Sequence, residues 1–289
     1  MDVERVADYG NVTGEGPLWH PDEGVLYWVD IPEGDVFRYD PATDEHELAH
    51  DDDRRIGGFT VQADGDLLLF VDDGTVQRWH SEDGLGDRVV EEIPEERGSR
   101  FNDVVAGPEG RVYAGTMAEG GSPGRLYRVN RDATVDVLVE DVATSNGMGF
   151  SPDNNRFYHA ETGAETIWEF DFDRATGDLR NRREFATTVG ASGKPDGLTV
   201  DEAGGVWSAR WNGHCAVRYR PDGTEDYRVR FPARKVASIV FAEPDYDVAY
   251  VPTATAGFPA ATEGEGAGAL YRFEPDVGGL PEFRSRVDL

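Results

Sequence analysis

Residues 102–117 read NDVVAGPEGRVYAGTM, and the same grammar returns five more times along the 289-residue chain. A polar or small residue comes first, then apolar residues, a Pro/Asp/Gly turn, and an alternating strand. The other copies are EGPLWHPDEGVLYWVD from Glu15, GGFTVQADGDLLLFVD from Gly57 and NGMGFSPDNNRFYHAE from Asn146, then DGLTVDEAGGVWSARW from Asp196 and ASIVFAEPDYDVAYVP from Ala237. They start 42, 45, 44, 50 and 41 residues apart. One or two further strand-like runs follow each copy, such as DVFRYDP from Asp35, TIWEFDFD from Thr166 and ALYRFEP from Ala269. Alternation, aromatic enrichment and Gly/Asp/Pro turns make these strands. A repeat of about 40–45 residues with four strands per unit is a propeller blade. The chain is therefore expected to be all-β. Residues 1–289 form one six-bladed β-propeller domain of four-stranded antiparallel blades around a central channel. Residues 1–13 precede the first copy. They are expected to close the ring by adding an outer strand to the last blade, because an unclosed ring leaves exposed edges.

Composition narrows the function. The chain has 57 Asp+Glu against 28 Lys+Arg, a net charge of −29 that would repel phosphate and anionic membrane surfaces. An aromatic content of 11% nevertheless argues against disorder. No apolar run approaches the roughly 20 residues of a membrane span. The start, MDVERVADYG, has neither a basic n-region nor an apolar h-region, so a cytoplasmic protein is expected. A single cysteine, Cys215, excludes an internal disulfide and any cysteine-based zinc cluster. Only Lys194 and Lys235 are lysines; the other cations are arginines. Acid excess with lysine depletion reads as a halophile's protein, because self-repulsion relaxes when the Debye length shrinks to about 3 Å near 1 M salt.

The innermost strand of each propeller blade lines the channel, so the first residues of the six copies are expected to form a ring at one mouth. They are Glu15, Gly57, Asn102, Asn146, Asp196 and Ala237. Two carboxylates and two carboxamides make a hard, oxygen-only set suited to one divalent ion, Ca²⁺, Mg²⁺ or Mn²⁺. Zn²⁺ with water completing the shell also fits. Asn146-Gly147 and Asp196-Gly197 are also ordinary turn dipeptides, and taken singly they read that way. Two residues upstream of the ring lie Thr13, Arg55, Arg100, Thr144, Lys194 and Lys235. This second row reads either as solvated cations or as a cationic rim that would hold hydroxyls or an anionic product.

These segments resemble the gluconolactonase/regucalcin (senescence marker protein) family. The resemblance is carried by GEGPLW (Gly14–Trp19), VDIP (Val29–Pro32), RFNDVVAGPEGRVYAGTM (Arg100–Met117), SNGMGFSPDN (Ser145–Asn154), NRR (Asn181–Arg183), PDGLTVDEAGGVW (Pro195–Trp207) and Trp211-Asn212-Gly213. It implies a six-bladed propeller with one divalent metal in the channel mouth, held by Glu15, Asn146 and Asp196. It implies Arg100, Asn102 and Glu119 as sugar contacts, which makes Asn102 mainly a substrate residue. One departure stands out: where many members have an aromatic-rich run ending in Asp-Ser, this chain has Phe157-Tyr158-His159-Ala160-Glu161-Thr162. A glutamate at 161 would alter the pocket wall.

The expected function is metal-dependent hydrolysis of a sugar (aldono-) lactone to its acid, in oxidative sugar catabolism. The metal would stabilise the oxyanion and lower the pKa of bound water. Asp196 is the expected general base, with Glu15 the more structural ligand. The expected partner is a small-molecule sugar lactone, with no nucleic acid and no membrane, and the chain a monomer or small homo-oligomer. Two alternatives are a hydrolase of another ester or organophosphate on the same scaffold, and a non-catalytic calcium-binding propeller.

Other motifs carry less. His46-Glu47-Leu48-Ala49-His50 matches the zinc-protease pattern, which works only on a helix. On a strand at roughly 3.3 Å per residue the two histidines stand about 13 Å apart. No G-x-S-x-G elbow occurs. Cys215 reads as a buried, inert thiol. Asn11-Val12-Thr13 is a weak glycosylation sequon without a secretory signal. Most tryptophans follow strand alternation and read as core, Trp211 being the best candidate for sugar stacking. The Ala/Gly-rich stretch from Thr253 to Gly268 reads as a surface loop or a cover over the mouth.

Overall fold

The computed structural model describes residues 1–288. Six antiparallel sheets follow one another along the chain, and each repeat copy opens one of them as its inner strand. The inner strands are Gly14–His20, Ile56–Val61, Phe101–Ala106, Ser145–Phe150, Lys194–Val200 and, in the sixth blade, the interrupted pair Lys235–Val236 and Val240–Ala242. In blades one to five the strands pair in sequence order from inner to outer. The sixth departs from this: Glu4–Asp8 pairs antiparallel with Ala269–Phe273 and forms its outermost strand, in the register Glu4–Arg272 to Asp8–Ala269. The molecule is a six-bladed β-propeller. One short helix, Ala260–Glu263, interrupts the final blade, and among the described residues no helix is long and apolar enough to cross a membrane.

The apolar core is divided among the blade interfaces. One cluster joins Val25, Tyr27 and Val29 of blade one to Phe59, Leu69 and Trp79 of blade two. Another joins Trp207 and Ala209 of blade five to Phe241, Val251 and Phe273 of blade six. The alternation in each strand explains this layering, because both faces of a blade meet a neighbour. Aromatic rings fix the spacing. Between blades three and four, Tyr113 lies 5.6 Å from Phe150, 5.1 Å from Phe157 and 5.9 Å from Phe172, centroid to centroid. Aromatic contacts of this kind are each worth about 0.5–1.5 kcal/mol beyond the area they bury.

The ring residues sit in a repeated irregularity. Inner-strand pairing slips between Glu15 and Leu18, Ile56 and Gly58, Phe101 and Asp103, Ser145 and Met148, and Pro195 and Leu198. A bulge bends a strand and re-aims a side chain. Here it falls at or beside the ring position in five consecutive blades. Gly147 and Gly197 are therefore strand residues, and the turn reading of Asn146-Gly147 and Asp196-Gly197 is corrected. Their lack of a side chain serves close approach. A Cβ on Gly147 would stand 2.1 Å from the Leu198 nitrogen, and one on Gly197 would stand 2.1 Å from the Ser238 hydroxyl.

The C-terminal segment, which the repeat leaves unassigned, crosses the opposite end of the channel. Ser285 N donates to Val61 O at 2.9 Å, Arg286 N to Gly110 O at 2.8 Å, and Gly279 N to Tyr246 O at 2.7 Å. Each acceptor lies at or just beyond the far end of an inner strand. Glu282 and Phe283 of this strap line a narrow cavity of about 50 Å³ together with Asp103, Gly16 and Gly58. The strap thus floors the channel and meets the bulged inner strands across this cavity.

Candidate metal centre and substrate mouth

Glu15, Asn102, Asn146 and Asp196 are all buried, each less than a tenth exposed. Asn146 and Asp196 are in direct contact through Nδ2 and Oδ1. The Asn146 Nδ2 also donates to Thr162 Oγ1 at 3.1 Å, and Gly147 N donates to Asn146 Oδ1 at 3.2 Å. Glu15 Oε2 accepts from Gly16 N at 3.0 Å, across a residue with a left-handed φ of 53°. Burial pushes the Glu15 carboxyl well above its ordinary value, and the negative charges of Asp196 and Asp103 push it further. Asp196 is likewise raised by burial and by Asp103, and lowered by Asn146 and Arg100.

Whether these residues suit a divalent ion is answered by their chemistry. Two buried carboxylates share one site, and neither forms an ion pair with any described residue. Burying carboxylates without a partner is costly, and a cation held between them would relieve that cost. Among the described residues no group of three or more His, Cys, Asp or Glu side chains could hold a metal, so the set depends on the Asn146 carboxamide. The donors are oxygens throughout, which fits a hard cation.

The other predicted contacts gather above this set. Arg100 Nη1 donates to Asn102 Oδ1 at 2.8 Å and to Phe101 O at 2.9 Å, while Asn102 Nδ2 donates to Ser145 O at 2.8 Å. Asn102 is thus held at both ends of its amide and bridges blades three and four. Burial, reinforced by the Arg55 charge, lowers the Arg100 guanidinium to about 10, so it is a cation at neutral pH. Glu119 accepts two bonds from Arg55 Nη1, both at 3.0 Å, and Arg55 Nε donates to Asp72 Oδ1 at 2.7 Å.

Several expectations need amendment. The second row is not a continuous cationic rim. Lys194 is half-exposed and lies 3.4 Å from Glu165. Lys235 is buried against Glu263, with Trp211 and Phe258 rings 5.7 and 5.2 Å from its Nζ. That ion pair fixes the short helix, so the stretch after Thr253 is a tethered segment rather than a plain loop. The Glu161 carboxylate is held outside the ring, accepting from Trp168 Nε1 at 3.1 Å. Asn11 is 3% exposed and accepts from Trp28 Nε1, which removes the glycosylation reading. His46 and His50 lie on one strand, Glu45–Asp51, and take different partners, Tyr9 and Asp52. Cys215 is a free, buried thiol.

Two residues escaped the sequence reading. Ser238, next to the donor-less Ala237, reaches Glu15 from the interruption in the sixth inner strand, and its hydroxyl favours the charged carboxylate. Thr162 touches Asn146. A signal existed for Ser238, since it stands one residue from the ring position; the bulges make that offset meaningful.

Residues 13–255 match the family described as the SMP-30/Gluconolactonase/LRE-like region. The chain is 45% identical to pentonolactonase XacC of Haloferax volcanii, with both chains covered in full. It is 33% identical to the 6-deoxy-6-sulfogluconolactonase of Pseudomonas putida over 83% of each chain. The solved structure of a calcium-binding protein, regucalcin, from Agrobacterium tumefaciens superimposes with a TM-score of 0.92 at 25% identity, covering 98% of this chain and 97% of that one. The repeat, the bulged inner strands and these likenesses agree, and the chain belongs to the SMP-30/gluconolactonase/LRE-like family.

Proposed function

We propose that the protein hydrolyses a sugar lactone to the corresponding sugar acid, with one divalent cation held by Glu15, Asn146 and Asp196. The observation that carries the metal is the meeting of two buried, unpaired carboxylates with a carboxamide at the channel mouth. The full-length likeness to a pentonolactonase supports the substrate class and favours five-carbon lactones.

Bound there, a divalent ion supplies Lewis acidity, which stabilises charge developing on the lactone carbonyl and makes nearby water more acidic. The remaining work falls to the chain's own groups. Asp196 takes the proton of the attacking water as general base. Glu15 balances charge and is steadied by Gly16 N. Arg100 offers charged donors to the lactone's oxygens, and Glu119, tethered by Arg55, accepts from its hydroxyls. Asn102 holds Arg100 in place and keeps a free N–H for substrate. No covalent nucleophile is needed.

The test is acid release from pentono- and hexono-lactones in molar KCl. Chelator-stripped protein receives Ca²⁺, Mg²⁺, Mn²⁺ or Zn²⁺ in turn. Hydrolysis should return with metal and fall about 10²–10⁴-fold in Asp196→Ala, the range for losing a general base. Metal binding by folded protein without hydrolysis of any lactone would favour a non-catalytic calcium-binding propeller.

A further inference from the structure

A carboxamide is useful to a hard cation only through its oxygen, so Asn146 must be held with the right end forward. Its two ends differ by one atom and are nearly equal in shape, and the local hydrogen bonds decide which is which. The deciding atom is the Thr162 hydroxyl. It lies 2.8 Å from Pro195 O and 3.1 Å from Asn146 Nδ2. A carbonyl can only accept, so the single hydroxyl proton is committed to Pro195. The hydroxyl can then only accept from Asn146, which forces the N–H₂ end toward Thr162. Gly147 N supports the same orientation by donating to Asn146 Oδ1 at 3.2 Å. A flipped amide would set its oxygen against a hydroxyl with no proton to give, and against the Asp196 carboxylate.

The Pro195 carbonyl belongs to the peptide that leads into Asp196, so one hydroxyl ties two proposed ligands from neighbouring blades. Thr162 itself is fixed by its backbone N–H to Thr144 O at 3.1 Å. It follows Glu161, the last residue of the strand Arg156–Glu161, and reaches across to blade five.

We infer that Thr162 is a positioning residue that fixes which end of the Asn146 carboxamide is presented to the cation; this rests on the metal-site reading above. The experiment is Ca²⁺ titration of the chelator-stripped, full-length protein by calorimetry in molar KCl, with circular dichroism reporting the fold. Thr162→Val keeps the shape and deletes the hydroxyl. It should weaken Ca²⁺ about 10–100-fold, the usual cost of losing a partner that orients a metal ligand. Thr162→Ser should restore binding. In an Asn146→Asp background the two oxygens are equivalent and no orientation is needed, so Thr162→Val should add no further loss. An unchanged affinity in Thr162→Val, or an equal loss in both backgrounds, overturns the inference, because the second pattern would mark a purely structural contact. Thr162→Ala gives the same comparison should the valine protein not fold. If wild-type protein fails to bind Ca²⁺, or Asn146→Ala binds as wild type does, the metal-site reading falls and the inference falls with it.

Discussion

Glu282 of the strap and Asp103 of the third inner strand line the same narrow cavity, and burial raises both carboxyls to about 7. A group with a raised folded value holds its proton more tightly in the native state than in the unfolded chain. Its contribution is present in full below the ordinary glutamate value of 4.5 and is lost as pH rises through about 7. Glu282→Gln should therefore remove a decline in stability between these limits and leave the protein more stable than wild type at pH 8. Denaturant melts at pH 5 and pH 8 measure this, and an identical pH slope in the two proteins would count against it. His159 acts in the opposite sense. Burial lowers its imidazole to about 3, so it is neutral beside Ser145 Oγ, and its share of stability is lost on acidification below about 6.5. At the mouth, Arg55 shares one guanidinium between Glu119 and Asp72. Arg55→Ala should raise KM for the lactone by about tenfold while kcat moves less, because a freed Glu119 loses binding that ground state and transition state share. A fall confined to kcat would place Arg55 in the chemistry instead.

At the scale of elements, the sixth blade is the one assembled from both ends of the chain. Its outer strand, Glu4–Asp8, covers the edge of Ala269–Phe273, and Ala7 is buried there. Deleting residues 1–8 should expose that edge and uncover part of the cluster around Trp28 and Tyr250. The shortened protein should melt several degrees lower and associate at concentrations where the full chain does not. Light scattering during a thermal ramp reads both effects, and an unchanged melting temperature would show that the strand is dispensable. The bulges place each ring side chain by backbone geometry close to the axis, whereas outer strands such as Asp178–Thr187 are largely exposed.

For the whole molecule, charge sets the solution behaviour. A net charge of −29 spreads over a surface carrying many short Arg–carboxylate pairs, such as Arg284–Asp22 and Arg174–Glu109. Added salt weakens both terms, but exposed pairs are each worth only about 0–1 kcal/mol, so relief of the net repulsion should win. The melting temperature should rise steadily from 0.1 to 2 M KCl, over which the Debye length falls from about 10 Å to below 3 Å. A flat or falling curve would show that the pairs dominate, and would remove the argument for adaptation to high salt.

The sequence alone was enough for the six-fold repeat, the strand content and the in-phase oxygen donors. Period-two alternation and turn chemistry are local properties, and a repeat multiplies a weak local signal six times. The ring of Glu15, Asn102, Asn146 and Asp196 was legible for the same reason, since equal positions in equal blades must meet near one axis, whereas the choice of Glu15, Asn146 and Asp196 as ligands came from the family resemblance. Other features were decided only by tertiary structure. The bulges at Asn146 and Asp196 lie where neighbouring inner strands pack closely against Gly147 and Gly197. The pairing of Lys235 with Glu263, the strap beneath the channel and the Thr162 bridge to Pro195 join residues with no shared place in the repeat. Their physical cause is the closed ring itself. It brings chain-distant donors and acceptors into a space without water, where each buried polar group must find a partner.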